Sequence, residues 1–285
     1  LRGVSVLVLA KRIWKSMIED RLLGRAAELA FYFLFALFPT LFSASSILGL
    51  AARSGPEIYD RLLNYLALVI PTSALGTVLV TFNQTTAAST SGKVTFGLIA
   101  SIWSASVGIS AIQDALNSVY RVQETRSFFR ARIDAIALTI LLTAIMTLTL
   151  TAMLGGDFMA RVASHSFSNV CLVDMGAVLS RLLGWLIATA LLVLSFAVIY
   201  YWAPDVKARR WQWLSPGGTF GILGWLVASL GLRLYLHFFN SYAVTYGSLG
   251  AVIILLTWFY ITGLMLLVGA EINSEMELLS GESQA

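Results

Sequence analysis

LGAVIILLTWFYITGLMLLVGA, Leu249–Ala270, runs for 22 residues without a charge and stops at Glu271. A helix needs about 20 consecutive apolar residues to cross roughly 30 Å of hydrocarbon, so this stretch reads as a transmembrane helix. Working outward toward the N-terminus, five more segments meet the same requirement: about Leu29–Ala51, Val94–Gln113, Ile133–Leu154, Val178–Trp202 and Gly217–Phe239. The runs are continuous, whereas barrel strands would alternate at every second residue. The expected fold class is therefore all-α, a polytopic membrane protein of six transmembrane helices spanning 29–271. A cytoplasmic amphipathic segment, 1–28, would precede it, and a short acidic cytoplasmic tail, 272–285, would follow.

Composition agrees. Of 285 residues, 58% are hydrophobic and only 12% charged, with a mean hydropathy of +0.81. Soluble domains carry about 25% charged residues; half that fraction cannot clothe a water-facing surface, so the excess apolar surface must face lipid. A soluble enzyme, a disordered regulator and a disulfide-rich secreted domain are excluded. The one cysteine, Cys171, is expected in a loop and can form no internal disulfide. The net charge of +4 does not point to nucleic acid, because the basic residues sit in short segments between apolar runs. Leu1 in place of Met suggests that native residues precede it, and Val4–Ala10, followed by Lys11 and Arg12, has the wrong polarity for a cleaved signal peptide.

A seventh apolar stretch, Leu62–Phe82, is broken by Asn64, Pro71 and Thr72, and charge decides its place. With six spans and the N-terminus inside, 13 Lys and Arg lie on the cytoplasmic side and five outside, with Arg233 in a span; a seventh crossing would make it nine against nine. The positive-inside bias selects six spans with both termini in the cytoplasm, and Tyr200, Tyr201, Trp202, Trp211 and Trp213 flank the third basic loop as an interfacial belt. Leu62–Phe82 is then an outer pair of interfacial helices or a re-entrant hairpin divided at Pro71. Near the N-terminus, Val6, Leu9, Ile13, Trp14 and Met17 recur at helical spacing beside Lys11, Arg12 and Lys15. That pattern is an amphipathic helix lying either on the anionic inner leaflet or on the protein's own cytoplasmic ends.

Ionisable groups at membrane depth are costly and mark functional candidates. Arg25, Glu28, Asp114, Asn117, Arg121, Asp134, Asp205 and Glu271 all fall at the cytoplasmic ends of the expected spans. Asp114, Asn117 and Arg121, at i, i+3 and i+7, would share one helix face. The group reads either as a hydrated vestibule or as end caps and mutual ion pairs. Arg233, about 24 Å along the fifth span at 1.5 Å per residue, is the deepest charge, near Tyr235, His237, Tyr242 and Tyr246. It either snorkels to water or meets an anionic head group. Pro39 interrupts the first span and can kink it. Gly217, Gly221, Gly224 and Ala228, like Gly97, Ser101 and Ala105, form small-residue stripes suited to close helix packing. There is no phosphate-binding GxxxxGK[ST] loop and no HExxH, and His165 and His237 both fall on the outer side. No cofactor, metal site or catalytic group is implied.

AAELAFYFLFALFPTLF at 26–42, WSASVGISAIQDALNSVYRV at 103–122, SPGGTFG at 215–221 and YAVTYGSLGAVIILLTWFYITGLMLLVGAEIN at 242–273 resemble the YihY/virulence factor BrkB family. The resemblance runs from about Arg25 to Asn273 and matches at Pro39, Asn117, Tyr246, Gly247, Gly250 and Glu271; many members carry Ser where this chain has Ala36. It implies a bacterial inner-membrane protein of six helices associated with envelope integrity. Some members carry a ribonuclease BN label, but RNA is cytoplasmic, the histidines fall outside, and the cytoplasmic segments are short. The expected function is a transporter or flippase-like protein for a lipid or other amphiphilic envelope component. Arg25 or Arg121 would meet an anionic head group inside, Arg233 would lie near the exit, and Glu28 or Glu271 would couple a proton. The alternative is a scaffold that supports the envelope and moves nothing; a small-ion channel would need an oligomer. Membrane lipids are the expected partners, an anionic amphiphile among them, with a homo-oligomer allowed.

Overall fold

Apolar stretches that must satisfy their own backbone groups in lipid do so as helices. In the computed structural model, residues 6–52, 91–166, 170–207, 211–238 and 248–280 are described, and among them there are seven α-helices and no strand. They are α1 (Val6–Glu19), α2 (Leu22–Ala52), α3 (Ser91–Val119), α4 (Phe128–Ser166), α5 (Val170–Trp202), α6 (Pro216–Phe238) and α7 (Ser248–Ser280). Five carry stretches long and apolar enough to cross a membrane: Thr95–Val119, Phe128–Thr149, Val178–Trp202, Pro216–Leu236 and Leu249–Leu279. The first expected span lies in α2, a helix of 31 residues that continues through Pro39. Leu62–Phe82, Tyr246 and Gly247 lie outside the described residues.

Helix lengths differ from the expected spans. α4 has 39 residues, about 58 Å at 1.5 Å per residue, and continues past Leu154 to Ser166. α5 already begins at Val170, so Cys171 is in a helix and not in the expected loop. No proline follows Ile133 in either helix, and the pair Gly155–Gly156 alone does not break α4. The acidic stretch that begins at Ile272 is helical through Ser280, as the last turns of α7.

The core gathers at one end of the bundle. Leu22, Ala26 and Leu29 of α2, Ile112 and Leu116 of α3, Leu138 of α4, Val198 of α5 and Leu267 of α7 are buried there together. α2 packs on α3 and α7, α3 on α4, α4 on α5, and α6 on α7, whereas α5 and α6 touch more sparingly. Large apolar side chains such as Phe96, Leu148, Leu186 and Val227 are exposed, as lipid-facing residues are. Hydroxyls on α4 make no demand on lipid: Thr139, Thr143, Thr147 and Thr151 each donate to the carbonyl four residues back, at 2.7 to 2.8 Å.

The glycine stripe of α6 does what small residues do in membranes, letting backbones meet. A Cβ on Gly217 would fall on the carbonyl oxygen of Gly269 and 2.7 Å from the Asn273 side chain, and one on Gly221 would lie 3.1 Å from the Met265 carbonyl. The Trp225 indole N–H donates to Thr262 Oγ1 at 3.0 Å farther along the same seam.

Candidate functional site

The starts of α2, α4 and α6 meet the ends of α1, α3, α5 and α7 in one polar cluster, held by side chains that finish each helix. α3 ends in a Schellman turn: Val122 N–H donates to Asn117 O at 2.9 Å and Arg121 N–H to Ser118 O at 3.0 Å. The left-handed position of that turn, usually glycine, is Arg121, with φ 54°. α1 ends similarly at Arg21, also φ 54°. Both cations sit where the helix dipole favours positive charge.

Past the end of its helix, Arg121 reaches α1 and α7. Its Nη2 donates to Ser16 Oγ and to Glu275 Oε1, each at 3.0 Å. Ser16 in turn donates to the same carboxylate oxygen at 2.7 Å. The Glu275 side chain is 6% exposed and that of Arg121 48%. Arg25 Nη2 donates to Ser118 Oγ at 2.8 Å and its Nε to the Asp20 carbonyl at 3.1 Å. Burial pushes the Asp20 carboxyl above its ordinary range, and Arg121 and Arg25 only partly offset this.

Asn117 organises the opposite side. Its Oδ1 accepts the Asp205 backbone N–H at 2.7 Å, and its Nδ2 donates to Glu124 Oε2 at 2.8 Å. Arg126 holds Glu124 through two 2.7 Å bonds, and also donates to Asp134 Oδ2 at 3.3 Å and the Ala203 carbonyl at 3.1 Å. The Arg126 bonds, ahead of that from Asn117, hold the Glu124 carboxyl below its ordinary range. Asp205 is held low chiefly by the Thr125 hydroxyl, with its backbone N–H second among the favourable contacts. Thr125 donates both groups to Asp205 Oδ2, at 2.6 and 2.7 Å.

α6 is capped from α7. Ser215, followed by Pro216 at the first helical position, accepts Gly218 N–H at 3.0 Å. Asn273 accepts Gly217 N–H at 2.8 Å and donates to Ser215 Oγ at 2.9 Å. Ser274 donates to the Val119 carbonyl at the end of α3, at 2.9 Å, and Tyr200 of α5 to the Leu266 carbonyl at 2.8 Å.

Glu271 lies within this frame. It is 0% exposed, and its carboxylate oxygens lack a partner of good geometry: the neighbouring Ser16 hydroxyl, close enough to act on it, donates to Glu275 instead. The charges that act on it are those of Asp20, Glu275 and Arg121. Between α5 and α6 at the same end, Phe196, Ala197, Trp213, Leu214, Gly218 and Ile222 line a shallow apolar cleft with room for little more than a water molecule. Among the described residues, no group of three His, Cys, Asp or Glu is placed to hold a metal ion.

The sequence-derived candidates divide accordingly. Arg25, Asn117, Arg121 and Glu271 come together in the cluster. Glu28 and Asp114 are exposed and stand outside its hydrogen-bond network. Asp114, Asn117 and Arg121 do not share a helix face, because α3 stops at Val119 and the left-handed turn redirects Arg121. Pro39 lies within α2, about 21 Å along the axis from Arg25, and Arg233, exposed on α6, lies about 24 Å from Gly217. Neither belongs to the cluster. The reading missed Ser16, Glu124, Arg126, Asn273, Ser274 and Glu275. The signal for two of these was present: no breaker separates Ala270 from Ser280, so Ser274 and Glu275 share with the already identified Glu271, at i, i+3 and i+4, one face of a continuing helix.

The pattern of the virulence factor BrkB family matches residues 13–285. A ribonuclease-like protein of Bacillus subtilis (strain 168), YfkH, is 33% identical over 251 residues, 88% of this chain and 88% of that protein. A UPF0761 membrane protein of Xanthomonas campestris pv. campestris (strain B100) is 27% identical over 96% of this chain and 61% of its own length. One from Xanthomonas axonopodis pv. citri (strain 306) is also 27% identical, over 96% of this chain and 62% of its own length. The chain thus spans less than two thirds of these longer Xanthomonas relatives. No solved structure matches it significantly.

Proposed function

Because the chain belongs to the virulence factor BrkB family of membrane proteins, we propose that it is a bacterial inner-membrane transporter or flippase-like protein for a lipid or other amphiphilic envelope component. In this reading the polar cluster is the closed cytoplasmic gate of a six-span bundle, and the protein is not an enzyme. The observation that supports it is Glu271, a carboxyl with no exposure where the helix ends converge, whose one neighbouring donor among the described residues, the Ser16 hydroxyl, is engaged by Glu275. Leaving a buried polar group unpaired costs about 1–3 kcal/mol, and more for a charge. A bundle built only to hold its shape gains nothing from such a group, whereas a carrier that opens and closes uses a site that is incomplete in one state. Beyond the apolar core, the contacts that close this end are side-chain bonds between helix ends, which can exchange partners. Arg25 and Arg121 provide cations at the entrance for an anionic head group.

The test is purified protein in vesicles, with fluorescent analogues of several phospholipid classes and a membrane-impermeant quencher. Translocation faster than in protein-free vesicles, lowered at least about tenfold by Glu271→Gln or Arg121→Ala in folded protein, is the expected result. A folded parent that moves none of the lipids sinks the proposal.

A scaffold that moves nothing is favoured by one observation, the full pairing of Glu124, Arg126 and Asp134 at the bundle end. In that case exposed faces matter to envelope integrity and Glu271→Gln does not.

A further inference from the structure

α1 has two faces, and they do different things. At about 100° per residue, Leu7, Trp14 and Ile18 fall within about 40° of one another, and Ser16 lies on the opposite side. The Ser16 side is fastened to the protein: Ser16 is buried against Glu275 and Arg121, and Met17 packs on the core. The opposite stripe is bare. Leu7 is 81% exposed, Trp14 66% and Ile18 63%. Lys11 and Lys15 are exposed beside it, with Glu19 in a 3.4 Å solvent-exposed pair with Lys15, and Arg12 is exposed farther round the helix. α1 therefore presents an apolar ridge with a net positive border, although its inner face is already used. Other exposed aromatic groups stand at the same end of the bundle, Phe128 and Phe129 opening α4 and Trp213 before α6.

We infer that α1 docks on an anionic phospholipid surface, with Leu7, Trp14 and Ile18 in the head-group region and Lys11 and Lys15 on the lipid phosphates. Charge complementarity selects this occupant. A ridge with a basic border suits the acidic, half-apolar boundary of a bilayer, and Trp is the side chain that favours that boundary. Because Ser16 is on the reverse of the same short helix, a lipid surface that draws on α1 also loads the contact among Ser16, Glu275 and Arg121. The inference does not depend on transport.

The experiment is hydrogen exchange of the full chain in nanodiscs of phosphatidylcholine alone and of phosphatidylcholine mixed with phosphatidylglycerol. Amides of residues 6–19 are expected to exchange about tenfold more slowly or better in the anionic discs, while α7 is unchanged. Lys11→Glu with Lys15→Glu removes the difference; Ser16→Ala speeds exchange in both discs and keeps it. In the parent, about 1 M salt also abolishes the difference, a measurement that needs no variant. Equal exchange of α1 in the two discs, or a difference that survives both charge reversal and salt, overturns the inference.

Discussion

Arg121 combines a strained backbone with a pair to a buried acid, and two substitutions separate these contributions. Breaking a fully buried ion pair costs about 3–5 kcal/mol, whereas an exposed pair contributes about 0–1 kcal/mol. Here the acid is buried and the guanidinium is 48% exposed, and Ser16 continues to donate to Glu275 after the change. Arg121→Ala is therefore expected to lose about 2 kcal/mol. Arg121→Gly loses the same contacts, but glycine adopts φ 54° without the penalty of about 1 kcal/mol borne by other residues. The expected order of stability is parent, then Arg121→Gly, then Arg121→Ala. In a protein of this size the steps amount to about 2–4 °C per kcal/mol in the thermal midpoint, readable in detergent by circular dichroism or scanning fluorimetry. Equal midpoints for the two variants refute the strain at this turn, and an alanine variant as stable as the parent refutes the energetic weight of the pair.

Two further outcomes follow from the same geometry. Gly217→Ala places a methyl group on the Gly269 carbonyl oxygen and against Asn273; backbone meets backbone there, so no rotamer change relieves it, and a loss of about 3 kcal/mol is expected. Gly231→Ala, with nothing within 4 Å, should gain about 0.5–1 kcal/mol from helix propensity, and the pair measured together by chemical unfolding would falsify the packing account if their order reversed. The folded-state pKa values of Glu124 and Asp205 lie below their ordinary values, so their stabilisation is present above about pH 4 and lost as pH falls through the lower folded values. Asp20 acts in the opposite sense: its raised value favours the folded state at low pH, and that contribution is lost as pH rises through it. Thr125→Ala, which removes the hydroxyl that holds Asp205 low, is expected to lower the midpoint more at neutral pH than at about pH 2–3, where Asp205 is protonated in either form; an equal loss at both pH values refutes the assignment.

What was legible in the sequence follows the range of the forces involved. Apolar runs must become helices in lipid whatever surrounds them, so α3 to α7 could be read from hydropathy. Helix ends are set by local chemistry that hydropathy does not record. α4 and α5 extend through a region taken as a loop because polar residues there do not stop a helix without proline. The seam between Gly217 and Gly269 was half visible, since the stripe on α6 is regular while its partner is a single glycine four residues before Asn273. Glu271 could be located from the abrupt end of an uncharged run, but not its isolation, which depends on where Arg121 and Ser16 spend their hydrogen bonds. Arg121 was misplaced because a left-handed turn at a non-glycine residue leaves no pattern in the spacing. The two-sided character of α1 was hidden in one apolar set, which the fold divides between Met17, facing the bundle, and Trp14, facing away.

The bonds from Asn273, Ser274 and Glu275 have partners far earlier in the chain: Gly217, Val119 and Ser16. All three acceptors and donors on α7 emerge from the ribosome after every other described helix. Until then the carbonyl at the end of α3, the first amide of α6 and the Arg121 guanidinium have no contact with that helix. Assembly of this end therefore waits for the synthesis of α7, and a nascent chain halted before that helix exposes an unfinished polar surface.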